Sequence, residues 1–330
     1  MKKIFKYTLH LIVVCFAIPI LFTRKPKAEE TITEEIVEEF KREKYDYGEY
    51  NKIKLLHSNT GEVEELDLDK YLLGVVSSEM PASFEQEALN AQALVARTYT
   101  IYKVLNGSKH ENADICDNST CCQAWISKEN RLEKWNEEER EENWSKIERA
   151  VNSTKGKIVT YEGEPINAFF HSNSGGFTDT ATNVWGGTNY PYLQVVETSG
   201  EDEYSQYNSE LSVTKEEFIS KIKKYHSDFI IDFNESNQIE ILEYTDGDRI
   251  KSIKIGNLKL SGVEVRTIFG LKSAKFQINI EENNVKFNVI GYGHGVGMSQ
   301  TGANSMAKQG KNYEYIIKHY YTGVEITNLI

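Results

Sequence analysis

The sequence predicts an α+β fold, with helices and strands segregated along the chain rather than alternating. Apolar residues recur at helical spacing in two blocks, residues 67–106 and 300–321. Short alternating segments crowd the stretch between them, and no internal repeat or β–α alternation is present. The chain has 330 residues, 39% of them hydrophobic and 11% aromatic, enough to bury a sizeable core. Its formal charge of -12 argues against nucleic acid as a partner, because phosphate binding requires clustered Lys and Arg.

An apolar run at residues 7–22 follows Lys2, Lys3 and Lys6, and Arg24, Lys25 and Lys27 come directly after it. With no small-x-small cleavage site at its end, the run reads as a retained anchor rather than a cleaved signal peptide. The predicted organisation is a cytoplasmic N-terminus (1–6), a transmembrane anchor (7–23), an acidic stalk (24–50) and an extracytoplasmic domain (51–330). This places the protein at the cell membrane as a single-pass protein. The glutamates of the stalk and of residues 137–142 read as solvated faces with no function.

Weak alternation around Asn59-Thr60-Gly61 predicts a hairpin over 53–66. Residues 67–78 suit a helix capped by Asp67 or Asp69, and Pro81 disfavours helical geometry at Met80. A second helix follows, with Ser83 and Gln86 fitting a capping box and Asn106-Gly107 a stop. Residues 128–153 read as one charged helix. Strands are expected at 157–161, 166–170 and 192–196, a helix at 216–225, and several β segments from 239 to 290 with a turn at Thr245-Asp246-Gly247-Asp248. Helices at 300–309 and 313–321 close the chain.

Four constellations carry chemistry. Glu79, in Tyr71-Leu-Leu-Gly-Val-Val-Ser-Ser-Glu79-Met-Pro81, falls at a helix C-terminus. The dipole there disfavours a second negative charge, and Val76 and Met80 add desolvation of the same sign. A carboxyl held protonated near neutral pH suits general acid catalysis on a glycosidic oxygen. The bland alternative is an ordinary helix-end glutamate, solvated or paired with Arg97.

Gly291-Tyr-Gly-His294-Gly-Val-Gly-Met-Ser299-Gln300-Thr-Gly302 matches neither a P-loop nor a dinucleotide fingerprint. It suits a groove for an extended polar ligand such as a sugar chain, with His294 either bonding the ligand or bracing the loop. His171-Ser172-Asn173-Ser174-Gly175-Gly176 forms a polar floor at a strand end. His171 and Ser172 point to opposite faces there, which disfavours a serine nucleophile. His110, Cys116, Cys121 and Cys122 fit either a zinc site or a disulfide beside a surface histidine.

Together with Glu87-Ala-Leu-Asn-Ala-Gln-Ala-Leu-Val-Ala-Arg97-Thr-Tyr99 and Ser261-Gly-Val-Glu-Val-Arg266, these motifs resemble, in order, the stage II sporulation protein D family. Its fold is shared with a group of bacterial amidase enhancers. The resemblance implies a lytic transglycosylase acting on peptidoglycan glycan strands stripped of stem peptides, in the wall remodelling of engulfment. Its implied partners are a cell-wall amidase or endopeptidase and a multi-pass membrane protein. The catalytic pair maps onto Glu79 and Arg97, and a structural zinc onto His110, Cys116 and Cys122, leaving Cys121 outside. Candidate substrate contacts are Tyr99, His171, Ser172, Ser174, Gly175, His294, Gly295, Ser299 and Gln300. A glycosidase that activates water typically needs a second carboxylate, whereas a lytic transglycosylase manages with one acid. Competing readings are a glycan-binding amidase enhancer without cleavage, and amide hydrolysis at the metal.

Overall fold

A computed structural model describes residues 50–329; the anchor and all but the last residue of the stalk lie outside the described residues. The expected hairpin forms from β1 (Lys52–Leu56) and β2 (Val63–Asp67), paired antiparallel from Lys52↔Asp67 to Leu56↔Val63. Helix α1 (Leu68–Glu79) follows without a break and buries Leu68, Tyr71, Leu72, Val75 and Val76. Asp67 stands at its N-cap, but its carboxylate pairs with Lys52 and Lys70 instead of capping the helix. Met80 is extended at φ -127°, ψ 136°, as the following proline demands, so α1 stops at Glu79.

Helix α2 (Gln86–Asn106) is the central element, buried continuously from Ala88 to Ile101. Its N-cap is Glu85, not Ser83 as the sequence suggests. The Asn304 side chain accepts from the Glu85 N–H at 2.7 Å, so a residue far along the chain supplies the acceptor that a capping box would provide. Strand β3 (Ile115–Cys116) pairs parallel with β1.

The single helix expected at 128–153 is three pieces: α3 (Lys128–Glu133), a 3-10 turn at Glu137–Glu139, and α4 (Arg140–Ser153). Only α4 carries a buried face, made of Trp144, Ile147, Ala150 and Val151, and that face packs on α1 and α2. The earlier part buries no side chain, so nothing holds it to one continuous helix axis.

Strand β4 (Lys157–Tyr161) forms as expected and turns into β5 (Glu164–Pro165). The strand expected at 166–170 shrinks to β6 (Phe170–His171), and no strand forms at 192–196. Outside β6 both stretches pair only at isolated points, among them the Ile166 N–H with the Val159 carbonyl and the Val196 carbonyl with the Thr178 N–H. Next come the short helix α5 (Ala181–Trp185), strand β7 (Asn208–Thr214), and α6 (Lys215–Lys223) with a capping box from Thr214 and Glu217.

Strands β8 (Ile239–Tyr244), β9 (Ile250–Ile255) and β10 (Leu258–Leu260) form one antiparallel sheet. Helix α7 (Gly262–Phe269), unexpected within this β-rich stretch, precedes β11 (Phe276–Ile280) and β12 (Asn284–Ile290). The sheet β11-β12-β7 and helices α6 and α7 enclose Phe218, Phe269 and Phe287, with the Phe269 and Phe287 rings 4.7 Å apart. Strand β13 (Met298–Ser299) pairs parallel with β6 and leads into α8 (Gln300–Lys308). Helix α9 (Tyr313–Tyr320) and strand β14 (Glu325–Asn328) end the fold, and β14 completes the β4-β5 sheet.

Candidate active site

The break after α1 leaves Glu79 on the wall of an open cleft of about 710 Å³. Ser78 to Phe84, Ser172, Gln300 and Thr301 line one part of it, and Arg131, Trp135, Glu139, Glu142, Asn143 and Lys146 line another. Gly74, one turn before Glu79, lies where any side chain would collide with the Trp125 indole. Trp125 therefore sits directly against α1 and brings its neighbour Ala124 within reach. The Ala124 N–H donates to Glu79 Oε1 at 2.5 Å.

Burial pushes the Glu79 carboxyl up to about 7, opposed by the hydrogen bonds from Ala124 and the Gln300 side chain. The sequence foresees the direction. The dominant cause, however, is desolvation rather than the helix end.

The glycine-rich loop and the His171–Gly176 segment meet at a residue that neither motif contains, Glu201, which is 1% exposed. Its carboxylate accepts from the N–H groups of Ser174 and Gly176 and from the hydroxyls of Ser174, Thr198 and Ser299, and the Thr301 hydroxyl lies 3.1 Å away. Ser299 and Thr301 flank Gln300, so Glu201 clamps the backbone that presents Gln300 to Glu79. A second buried pair, Arg249 with Asp179 at 3.7 Å, supports the same loops from below. Arg249 donates to the Ser174 and Phe177 carbonyls. Gly295 has φ +82° and lies where a side chain would collide with the Arg249 guanidinium, which explains why glycine stands there.

Both histidines are held neutral. Burial, with the nearby Arg249 charge, lowers His171 to about 3, and His294 is pushed well below its ordinary value by burial and by His171. His171 Nδ1 bonds the Val296 carbonyl, and the Val296 N–H donates to His294 Nδ1. The His294 ring packs against His171, Phe169 and Trp185. These contacts fit the bracing reading of His294.

Of the candidate residues, the cleft brings together Glu79, Ser172 and Gln300. Ser174, Gly175, His171, His294, Gly295 and Ser299 do not line it; Ser174 and Ser299 bond Glu201 instead. Tyr99 is packed against Phe169, with Lys103 over its ring, and does not line the cleft. Arg97 is fully enclosed: it donates to the Thr154 and Val151 carbonyls and pairs with Asp69 at 3.3 Å. The structure does not bring it to Glu79. It joins α1, α2 and α4, because a guanidinium at that depth has to find its acceptors among helix-end carbonyls.

Cys116, Cys121 and Cys122 are free thiols. With His110 they form a cluster whose four ligand atoms all lie within 4.8 Å of one another. His110 Nε2 is 3.8 Å from Cys121 Sγ and 3.6 Å from Cys122 Sγ. Cys121, which the resemblance leaves out, therefore belongs to the group. Three thiols and one imidazole converging on one point match the donor set of a closed tetrahedral zinc site. Gln123, the next residue, donates to the Thr100 and Tyr71 hydroxyls, so the cluster and Ala124 belong to one anchored segment.

A family model described as stage II sporulation protein matches residues 57–161. Stage II sporulation protein D of Bacillus subtilis strain 168 is 36% identical over 268 residues, spanning 80% of this chain and 76% of that protein. The Bacillus amyloliquefaciens protein of the same name is 35% identical over 277 residues, spanning 83% and 78%. The chain belongs to the stage II sporulation protein D family. The amidase enhancer of Bacillus subtilis is a more distant relative, 29% identical over 305 residues, covering 78% of this chain and 40% of the enhancer.

The stretch matched to the stage II sporulation protein model holds Glu79, Arg97 and the cysteine cluster, while Glu201, Gln300 and both loop motifs lie beyond it. Sequence reasoning missed Glu201, Arg131 and Trp135. Glu201 is followed by Asp202 and Glu203 and looks like one more solvated acid. Arg131 and Trp135 fall in the stretch 128–153, which reads as one charged helix. No spacing in the sequence marks either.

Proposed function

We propose that this member of the stage II sporulation protein D family is a lytic transglycosylase. It cleaves the MurNAc–GlcNAc bond of peptide-stripped glycan strands, with Glu79 as its acid and base. The carrying observation is a carboxyl raised to about 7 by burial, yet facing an open cleft of about 710 Å³. Near neutral pH a large fraction of such a group is protonated and able to donate.

The Glu79 proton passes to the leaving glycosidic oxygen as the C1–O bond breaks. The resulting carboxylate, steadied by Ala124 and Gln300, takes the proton of the MurNAc 6-hydroxyl. That oxygen then bonds to C1 and closes a 1,6-anhydro ring, and an attack within one sugar gains from proximity. Glu139 and Glu142 also line the cleft, but both are exposed. Glu79 is the enclosed carboxyl among the three, which favours the one-acid route.

The role of the cysteine cluster in this reading is to bind zinc through His110, Cys116, Cys121 and Cys122. Such an ion supplies no reacting group; it ties the segment that carries Ala124. Anchoring by residues 7–23, a place between two membranes during engulfment, and work beside an amidase and a multi-pass membrane protein complete the proposal.

The test is mass spectrometry of stripped strands digested by the purified chain. Products ending in 1,6-anhydro-MurNAc are expected with the parent and not with Glu79→Gln. Reducing MurNAc ends would replace this route with hydrolysis. Binding without cleavage, together with stimulation of an amidase, would favour the role for which the amidase enhancer relative is named.

A further inference from the structure

Arg131 is the unusual charge of the cleft. It follows Lys128 to Asn130 on the short helix α3 and lines the cleft together with Glu79, with its guanidinium carbon 5.0 Å from the centre of the Trp135 ring. Burial lowers its pKa, and no acidic neighbour works against that. Its Nε is shielded from solvent and has no hydrogen-bond partner. No carboxylate among the described residues lies within ion-pair distance of it, although Glu139 and Glu142 line the same cleft.

The two most buried arginines and the other cation lining the cleft each have oxygen partners. Arg97 has Asp69 and two backbone carbonyls, Arg249 has Asp179 and three carbonyls, and Lys146, also in the cleft, donates to the Phe84 carbonyl at 2.8 Å. A partly desolvated cation without a counter-ion costs stability unless something else in the protein's working cycle pairs with it. Stacking on the indole fixes where the guanidinium stands, so little rotamer freedom is left to lose when an anion arrives.

We propose that Arg131, held on Trp135, is the specificity residue of the cleft and pairs with a carboxylate carried by the sugar substrate. This rests on the transglycosylase reading and deepens it. In a glycan strand the carboxylate is the free lactyl group of MurNAc, which exists only where the stem peptide is absent, because an attached peptide turns it into a neutral amide. Arg131 therefore reads the prior removal of the peptide by charge. The reaction class that must supply this substrate is hydrolysis of the lactyl amide. A planar guanidinium matches a carboxylate with two parallel hydrogen bonds, which an amide cannot accept in the same way.

The experiment uses the full chain carrying Glu79→Gln, so that strands bind without being cut, and measures affinity by calorimetry. The probes are stripped strands, the same strands with the lactyl groups converted to methylamides, and peptide-bearing strands. The chain with Arg131 is expected to bind stripped strands at least about tenfold more tightly than methylamide strands, a difference of about 1.4 kcal/mol. Adding Arg131→Gln is expected to abolish that ratio while leaving affinity for the methylamide strands unchanged, and Arg131→Lys to restore part of it. In otherwise unmutated protein, Arg131→Gln is expected to raise KM for stripped strands with kcat nearly unchanged.

An unaltered ratio in Arg131→Gln, with thermal unfolding like the parent's, overturns the assignment and leaves the transglycosylase reading standing. Absence of binding to all three probes by the Glu79→Gln chain overturns both. The methylamide probe separates charge from bulk: if it binds as well as stripped strands while peptide-bearing strands do not, the selection is steric and Arg131 is not its source.

Discussion

Two glutamates sit in enclosed positions on either side of Gln300, and they are treated in opposite ways. Glu201 is surrounded by backbone N–H groups and hydroxyls from three segments of chain. Glu79 receives the Ala124 N–H and the Gln300 side chain, and burial outweighs both, so its carboxyl rises to about 7. A carboxylate saturated with donors is a structural anion, useful because it stays where it is. One with few donors at the wall of a cleft can exchange its proton. The Ser/Thr- and Gly-rich motifs that dominate the sequence therefore serve Glu201, and through it hold Gln300 in front of Glu79.

The comparison is tested most severely by the matched changes Glu79→Gln and Glu201→Gln. Glu79→Gln is expected to lower the cleavage rate by roughly 10³-fold or more, the scale of a general acid that serves twice. It should also make the protein more stable at pH 8. A carboxyl with its folded pKa raised contributes stability that is present below its ordinary value and lost as pH rises through about 7. Removing the charge recovers on the order of 2 kcal/mol above that pH, readable in urea melts at pH 5 and pH 8. Glu201→Gln should do the reverse and cost about 3 kcal/mol, because an amide cannot accept from all of the buried donors it faces. Equal stability losses in both variants would erase the distinction between the two acids.

Metal removal sharpens the same contrast by loosening one support of Glu79 and none of Glu201. Purified protein is expected to hold about one zinc per chain by mass spectrometry, and Cys121→Ser to weaken its retention. At a free metal concentration about 100 times the dissociation constant, the ion adds about 2.7 kcal/mol to folding stability. Chelation should lower the unfolding midpoint accordingly. Protein with no metal and a Cys116–Cys122 disulfide would end the zinc proposal.

The element pattern was legible where local chemistry decides the structure. The hairpin at β1–β2, the stop before Pro81, and helices α6, α8 and α9 all carry their own turn, cap or breaker residues. What failed was decided at long range. Residues 166–170 are apolar enough for a strand, yet a ladder forms only at Phe170 and His171, where Met298 and Ser299 supply it. Ser83 looks like a cap, but Asn304 takes over the N-terminus of α2. Helix α7 was hidden because eight residues give barely two turns of periodicity within a β-rich stretch. In the site, Glu79 and Gln300 were visible as motif residues. Glu201 and Arg131 were not, because their importance lies in what surrounds them, saturation for one and the lack of a counter-ion for the other.

The pH dependence should separate the acid from the histidines. Cleavage is expected to fall about tenfold per unit as pH rises beyond about 7, where Glu79 loses its proton. No histidine limb is expected between pH 5 and 7, since His171 is lowered to about 3 and His294 is also well below its ordinary value. Both rings affect stability instead. With folded values depressed below about 6.5, they contribute stability that is present above that pH and lost as pH falls. An activity limb near pH 6 that vanishes in His294→Asn would move His294 from bracing into the chemistry.

The smallest expected effect comes from the rim of the cleft. Glu139 and Glu142 are exposed, and neither is an obvious partner of Glu79, whose ionisation is governed by burial, Ala124 and Gln300. If cleavage uses one acid, Glu139→Gln and Glu142→Gln should each change the rate by less than about twofold, since an exposed carboxylate away from the reacting atoms contributes little through high-dielectric solvent. A loss of 10²-fold or more in either would identify a second catalytic carboxyl. It would also move the reaction from internal attack by the 6-hydroxyl toward attack by water, a change that reducing MurNAc ends in the products would reveal directly.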